Sequence, residues 1–441
     1  MRKRRRNGLG AYVLVLAIVI GTAAIATVVV GKNRRTLYST TERFHRHIVS
    51  NAFDPISAAE RGLLPTATST HRGGAHAGVR AIVVHPGRIV LLAAGKPVRT
   101  IAMPRSPATL RAIVRSVRDP DWLSESHGIV TLRAAVIADR GSVLRVSAPL
   151  TREVVLTRRA GVFLGARHAR LRLDGVDVRS GPVGTTDDRP FVVAQRSSTM
   201  VIRGSSFRDL GHDWNSSYGV TWASGSGGRV VDSRFANCYI AIYTDAAHDL
   251  LIRGNVLRRN TLYGIDPHSH SGHITVVGNL SEQNGRHGII FSQDVTASLV
   301  RGNTARENHL NGIMMDASST GNVITDNVVE HNHGDGVVLA DSADNTVTSN
   351  RIRGNRVGIL VRGANRQRLI RGNDVSGNAL AAQGVTLTGN AVQDNGGEWE
   401  PERVAAIWFV AVPLTALLWW LTFRSRRSRD RRQRLRAAAT A

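Results

Sequence analysis

The sequence is poor in cysteine and in acidic residues. Cys238 is the only cysteine among 441 residues, so no disulfide can form within the chain and its stability must come from packing. Asp and Glu number 33 against 58 Lys and Arg, which gives a net charge of +25. Five basic residues in 1–30, with eight basic and one acidic residue in 404–441, leave +13 for the middle of the chain. A middle with this charge attracts a polyanion over long distances.

Charged residues are also absent from two long apolar stretches, 12–30 and 404–423. Each has about the 20 residues that a transmembrane helix needs, so the sequence predicts two of them. A cleaved signal peptide is the alternative for the first stretch, but its run exceeds the usual ~7 to 15 residues and no A-x-A site follows. Basic runs in 1–11 and 424–441 predict that both termini are cytoplasmic and that 32–403 lies outside. Orientation and anionic headgroups explain the Arg-rich ends better than nucleic acid does.

The segments next to the first apolar stretch resemble neither a long helix nor a repeat. We expect a stalk or short helix and a polar linker over 31–78, followed by a cap over 79–160. In the cap, strand-like runs on both sides of Pro86-Gly87 predict a hairpin. A helix is expected over 108–117, with Ser106 as its N-cap.

A repeat occupies residues 161–395. One asparagine column recurs at steps of 24, 24, 24, 23 and 23 residues: Asn255, Asn279, Asn303, Asn327, Asn350 and Asn373. A second has the same steps: Asn260, Asn284, Asn308, Asn332, Asn355 and Asn378. A third column consists of glycines, each followed by Ile or Val: Gly264, Gly288, Gly312, Gly336 and Gly358. A fixed period of this length is the signature of a stacked repeat fold.

The repeat predicts an all-β fold, a right-handed parallel β-helix with a period of 22 to 24 residues. Each repeat holds short β-branched runs separated by Asn or Gly, which leaves no room for a helix of ten residues. Leucine-rich repeats share the length but need Leu at fixed offsets, which are absent here. Each coil would bury its apolar face by stacking on the next, and the asparagines would form hydrogen-bonded ladders. The asparagine columns are therefore assigned a structural role.

The hexapeptide at 263–268 breaks the pattern. Later repeats place Ile290, Met314 and Val338 where this one has Asp266. Since equivalent positions stack about 4.8 Å apart, the alignment predicts neighbours in space. It predicts a polar patch on one outer face, either a functional site or an ordinary solvated face: Tyr263, Asp266, His268, His287, Ser292, Gln293 and Asp316. A metal site at His268, His270 and His273 is the less favoured interpretation, because no carboxylate completes a ligand set.

Three segments carry a family resemblance: the hexapeptide Tyr-Gly-Ile-Asp-Pro-His at 263–268, the run 287–290 with Ser292 after it, and 332–336. Together they resemble the periplasmic mannuronan C5-epimerases of alginate-secreting bacteria. The resemblance implies that His268 abstracts the C5 proton of a mannuronate residue, with Asp266 and Tyr263 beside it.

Two positions depart from that family. It has Asp after the Asp-Pro-His motif, where this chain has Ser269, and Arg in the next turn, where this chain has Gln293. The Arg is thought to neutralise the substrate carboxylate, so Arg286, Arg306 and Arg362 become candidates for that role. Ser269 and Gln293 align in adjacent repeats, which makes the two departures one coupled change.

The expected function is therefore that of a membrane-anchored polyuronate C5-epimerase without cofactor or metal. Its catalytic residues would be His268, Asp266 and Tyr263, and its substrate-binding residues are expected in the neighbouring repeats: His287, Ser292, Gln293, Asp316 and Arg286. The expected partners are an anionic extracellular polysaccharide, the membrane, and a polysaccharide synthase or secretion complex. Two alternatives stay open: a lyase on the same substrate class, and a non-catalytic β-helix for glycan binding, export or metal-centre assembly.

Overall fold

The computed structural model describes residues 55–61, 79–104, 107–159, 161–182, 189–213, 217–363 and 366–396. No helix within these ranges is long and apolar enough to span a membrane. The two stretches predicted to do so, 12–30 and 404–423, lie outside the ranges, as do the two basic tails.

The described residues form three long sheets that run the length of a parallel β-helix. Sheet A contains Arg80–His85, Arg88–Ala93, Lys96–Ala102, Ala135–Asp139, Phe163–Arg167, Phe191–Gln195, Gly219–Ala223, Ile240–Asp245, Ile265–His268, Ile289–Ser292, Ile313–Asp316, Val337–Ala340, Val357–Arg362 and Leu380–Gln383. Sheet B contains Ala108–Thr109, Val143–Ser147, Arg170–Asp174, Thr199–Arg203, Gly227–Val231, Leu250–Arg253, Thr275–Val277, Leu299–Arg301, Val323–Thr325, Thr346–Thr348 and Leu369–Arg371. Sheet C contains Leu123–Ser126, Ile129–Leu132, Glu153–Leu156, Asp177–Ser180, Ser206–Arg208, Arg234–Ala236, Val256–Arg258, Leu280–Glu282, Thr304–Arg306, Val328–Glu330, Arg351–Arg353, Asp374–Ser376 and Ala391–Gln393.

Each coil contributes one strand to every sheet and pairs in parallel with the coils before and after it. Apart from Ala108–Thr109 and the antiparallel strand Lys96–Ala102, the strands are three to six residues long, because the chain turns a corner at each end. Side chains alternate along a strand, so one set fills the interior while the other faces outward. The interior is a continuous apolar column that includes Ile265, Ile289 and Ile313 in sheet A. The prediction of a parallel β-helix is confirmed.

The asparagine columns lie at the corners and form the predicted ladders. Asn279 is representative: its backbone N–H and its Nδ2 both donate to Oδ1 of Asn303 at 2.9 Å, and Nδ2 also donates to the carbonyl of Ile252. Both ladders continue one step further than the alignment, to Asn390 and Asn395. These bonds satisfy corner N–H and C=O groups that no strand pairs, which a buried backbone requires.

The cap region agrees with the prediction only in part. The hairpin at Pro86-Gly87 is confirmed as two antiparallel strands. The helix is Leu110–Val117, and its predicted N-cap was wrong, because Thr109 Oγ1 accepts the Ala112 N–H at 3.2 Å. The helix starts later than 108 since Ala108–Thr109 pairs in sheet B.

The coils start before residue 161. The strand Ala135–Asp139 pairs in parallel with Phe163–Arg167 in sheet A, and Glu153–Leu156 pairs in parallel with Asp177–Ser180 in sheet C. Regular stacking therefore begins inside the segment that the sequence suggested as a cap. The asparagine columns begin only at residue 255, so the alignment could not reveal these earlier coils.

A short helix, Pro55–Glu60, packs on the outer face of sheet A. Ile56 is buried in a cluster with Phe163 and Val193. Arg167 anchors the helix, since its guanidinium donates to both carboxyl oxygens of Glu60 at 2.6 Å. This part of the predicted stalk is thus a packed element of the β-helix.

Candidate active site

The Asp-Pro-His segment forms the sheet A strand Ile265–His268. In register with the preceding coil, Asp266 lies beside Tyr243 and His268 beside Asp245. Ile265 belongs to the interior column, so strand alternation directs Asp266 and His268 outward. The departures from the repeat, Asp266 and His268, are thus at the outward positions of this strand, and the inward residue Ile265 stays apolar as in the other coils.

Asp266 is buried to 0 % exposure although it faces outward. Neither of its carboxyl oxygens has a hydrogen-bond partner among the residues that the structure describes. Burial raises the pKa of this carboxyl well above its usual range, because the charged form loses its hydration. The neutral, protonated acid is the favoured state, and it carries an O–H that can donate a hydrogen bond.

His268 is also fully buried, and one of its ring nitrogens contacts the next residue in the chain. Nδ1 lies 2.6 Å from Oγ of Ser269. The same oxygen lies 3.3 Å from Oε1 of Gln293, in the next coil. The two residues that replace the family's Asp and Arg are therefore adjacent, as the alignment predicted, and they contact His268 directly.

Tyr263 and His287 form a second column along the same face. Their rings stack at 5.3 Å with an interplanar angle of 15°. Arg286 Nη1 approaches the Tyr263 hydroxyl at 3.5 Å. Burial raises the pKa of Tyr263, and Arg286 opposes the shift without cancelling it, so the phenol keeps its proton.

The protonation of His287 follows from one contact. The backbone N–H of Asn311 donates to His287 Nδ1 at 3.2 Å. Nδ1 must therefore carry a lone pair, which places the ring proton on Nε2. A doubly protonated ring would set two N–H groups against each other, so this geometry favours the neutral imidazole.

The remaining predicted residues lie where the alignment put them. Ser292 is in register with His268, and Asp316 is in register with Ser292. Both are buried on the outward face of sheet A. The His268 column also contains Asp245, whose pKa burial raises to about 6 against the opposing effect of His270.

The three candidate arginines differ in position. Arg286 contacts Tyr263 within the site. Arg306 lies on sheet C, where it pairs with Glu282 at 2.8 Å. Arg362 belongs to the His268 column but lies four coils further on, about 19 Å away at 4.8 Å per coil. Of the three, Arg286 is the one with a contact to a predicted catalytic residue, Tyr263.

Sequence reasoning missed Tyr243, which borders both outward side chains of the motif. It is in register with Asp266, and its ring lies 5.6 Å from that of His268. Tyr218 packs against it edge-on at 4.6 Å. The repeat alignment could have found Tyr243, because it stands one coil before Asp266 in the same column.

Within the described ranges, no three His, Cys, Asp or Glu side chains are grouped so as to hold a metal ion. The fold and site together define a parallel β-helix protein with a histidine and a buried carboxyl group on the outer face of one sheet.

Comparisons with known proteins point to carbohydrate-modifying relatives. The mannuronan C5-epimerase of Pseudomonas aeruginosa is 30 % identical over 189 residues, covering 38 % of this chain and 35 % of that protein. That of Pseudomonas syringae pv. tomato is 28 % identical over 209 residues, covering 42 % and 38 %. The chain thus spans under two fifths of the length of these relatives. Their match confirms the predicted resemblance to the mannuronan C5-epimerases.

Two further comparisons concern the coils. The crystal structure of the periplasmic alginate epimerase AlgG superposes with a TM-score of 0.59 at 23 % identity, covering 66 % of this chain and 83 % of that one. At this identity the likeness establishes the shared fold. Residues 192–395 also match the family described as periplasmic copper-binding protein (NosD).

Proposed function

We propose that this protein is a polyuronate C5-epimerase whose β-helix lies outside the cytoplasm. The observation that carries the proposal is the presence of His268 and the fully buried carboxyl of Asp266 on one outward strand face. The similarity to mannuronan C5-epimerases supports the reaction class.

The first step removes the proton on C5 of a uronate residue. His268 accepts that proton on a ring nitrogen, and the electron pair of the C–H bond moves into the adjacent carboxylate. Histidine suits this role because its unperturbed pKa of about 6.5 leaves much of it neutral near pH 7. The product is a dianion that needs neutralisation.

Asp266 supplies part of that neutralisation in our proposal. Its neutral O–H can donate to the dianion, and a buried donor without a competing partner strengthens as the charge develops. A carboxylic acid kept neutral by an apolar site serves this purpose in ketosteroid isomerase. Asp266 would thus fulfil part of the role that the family gives to the Arg replaced by Gln293, and Arg286 adds positive charge nearby.

The second step returns a proton to the opposite face of C5. Tyr263 keeps its proton, and the guanidinium of Arg286 would stabilise the phenolate left after donation. His287 is a poor donor, because giving up its single proton would leave an anionic ring. We therefore assign reprotonation to Tyr263 or to water.

The burial of the site imposes one requirement. His268 and Asp266 are both inaccessible to solvent, so a polymer reaches them only after the outer face of sheet A is uncovered.

Membrane anchoring belongs to the proposal. The apolar stretches 12–30 and 404–423 would hold both ends in the bilayer with cytoplasmic tails. The enzyme would then act on a nascent anionic polysaccharide beside a synthase or secretion complex, and the +13 of the middle would attract that polymer.

The test is incorporation of solvent deuterium. Full-length protein is incubated in deuterated water with polymannuronate, polyguluronate and polyglucuronate, and C5 deuterium is measured by mass spectrometry. We expect incorporation into at least one polymer by the wild type and none by His268→Gln. No exchange with any polyuronate, or equal exchange by the variant, overturns the proposal. An unsaturated product absorbing in the ultraviolet would instead indicate a lyase.

A non-catalytic role is the second candidate. The match of residues 192–395 to the NosD family and the replacement of the family's Arg by Gln293 both favour it. It predicts polysaccharide or metal binding without deuterium exchange, so the same incubation separates the two functions.

A further inference from the structure

A single serine hydroxyl connects the candidate base to the next coil. Oγ of Ser269 lies 2.6 Å from Nδ1 of His268 and 3.3 Å from Oε1 of Gln293. A hydroxyl has one proton to donate and two lone pairs to accept with. The Tyr243 hydroxyl is a third hydrogen-bond partner of the Ser269 side chain. The direction of the bond to His268 therefore depends on which of the other two partners takes the Ser269 proton.

One order of donors satisfies all three contacts of Ser269: its proton goes to Gln293, and its oxygen accepts from Tyr243 and from His268. Gln293 Oε1 is an acceptor, so the Ser269 proton points toward it. The hydroxyl oxygen then accepts from Nδ1–H of His268. With the ring proton on Nδ1, the lone pair that can take a proton from carbon is on Nε2.

We infer that Ser269 and Gln293 are positioning residues that hold His268 in its Nδ1–H tautomer and so make Nε2 the base. The inference rests on the proposed function for its catalytic meaning, but the tautomer itself is a property of the protein. The reverse order, in which Gln293 turned its amide NH₂ toward Ser269, would place the ring proton on Nε2 and abolish the base.

The local backbone fixes this contact. Ser269 and Gln293 occupy the same corner position of successive coils, and both have left-handed backbone conformations, with φ of 43° and 62°. The N–H of Ser269 donates to the Ser292 carbonyl, and that of His270 donates to the Gln293 carbonyl. The corner is therefore held in register without help from the two side chains. The coils on either side place Ala246 and Ala317 at this corner, so the polar pair is confined to the coil of His268 and the next.

The direct test is the tautomer. Full-length protein labelled with ¹⁵N-histidine gives long-range ¹H–¹⁵N correlations that distinguish a protonated Nδ1 from a protonated Nε2, and loss of the signal in His268→Gln assigns the ring. We expect the Nδ1–H form in the wild type and its loss in Ser269→Ala. An Nε2–H form in the wild type, or an unchanged ring in Ser269→Ala, overturns the inference. This result does not depend on epimerase activity, so it stands even if no polyuronate undergoes exchange.

The second test separates acceptors from donors at residue 293. Gln293→Glu offers only acceptors and should keep the Nδ1–H tautomer. Gln293→Lys offers only donors, so the Ser269 proton turns to Nδ1, and kcat should fall by about 10²- to 10⁴-fold with little change in KM. Adding Ser269→Asp to Gln293→Lys restores an acceptor beside the ring and should recover the tautomer and much of the rate.

The variants share a control. Thermal midpoints within a few degrees of the wild type exclude unfolding as the cause of a lost rate. Equal rates for the Glu and Lys variants, or a double variant that stays in the Nε2–H form, would refute the positioning role.

Discussion

We expect Asp266 to destabilise the folded protein, and its replacement by valine to stabilise it. The side chain is fully buried, and neither carboxyl oxygen has a hydrogen-bond partner among the described residues. Leaving a buried polar group unsatisfied costs about 1 to 3 kcal/mol. The following coils place Ile290, Met314 and Val338 in this column, so a β-branched apolar residue fits the strand. Below about pH 4, where the carboxyl is protonated in both the folded and the unfolded chain, we expect Asp266→Val to raise the free energy of unfolding by about 1 to 3 kcal/mol.

The effect should also depend on pH, with a sign fixed by the raised pKa. The folded protein holds the Asp266 proton more tightly than the unfolded chain, whose Asp has a pKa of about 3.9. Asp266 therefore destabilises the protein least below that pH. The free energy of unfolding then decreases as the pH rises toward the pKa of Asp266 in the folded protein. The valine variant has no proton to lose, so its advantage should widen from pH 4 to pH 8.

The assay is guanidinium denaturation at several pH values, paired with deuterium exchange into the polymer. Asp266→Asn is the matched control, because it removes the titrating group but keeps a buried polar side chain. Its free energy of unfolding should vary less with pH than that of the wild type, and it should be stabilised less than the valine variant. It also keeps a hydrogen-bond donor and should retain part of the exchange rate, whereas valine should lose it. A valine variant that is less stable than the wild type, or whose advantage is the same at every pH, would refute the reasoning.

Three further predictions concern other parts of the β-helix. Because the pKa of Asp245 is raised to about 6, the free energy of unfolding should fall by up to about 1.4 kcal/mol per pH unit between pH 4 and 6. Denaturation of Asp245→Asn over the same pH range should show a smaller decrease. Asn303→Ala removes hydrogen bonds to the Val276 carbonyl and to the next asparagine, so chemical denaturation should show a free energy of unfolding lower by about 2 to 4 kcal/mol. A decrease below about 0.5 kcal/mol, the level of a neutral surface change, would contradict a stabilising role of the ladder. Arg306→Gln should leave deuterium exchange unchanged, because Arg306 pairs with Glu282 on sheet C, and a large fall in rate would place it in the site after all.

The candidate site was predictable to the extent that it follows the repeat. Aligned positions in a parallel stack become neighbours, so the columns of His268 and Tyr263 could be written down from residue numbers. The contact between Ser269 and Gln293 follows in the same way. Arg306 could not be placed by this reasoning, because the alignment orders residues along a column but does not say which of three sheets a distant side chain occupies.

The sequence by itself determined the coil, its period and the asparagine ladders, because every coil buries its apolar face by the same contact with the next, and such local rules repeat in the chain. Only the tertiary structure decided that the outward face at Asp266 and His268 is buried, and hence that the pKa of the carboxyl is raised. The same holds for the helix Pro55–Glu60, which Arg167 anchors across 107 residues of sequence. Burial depends on contacts between segments far apart in the chain, and no periodic pattern encodes them.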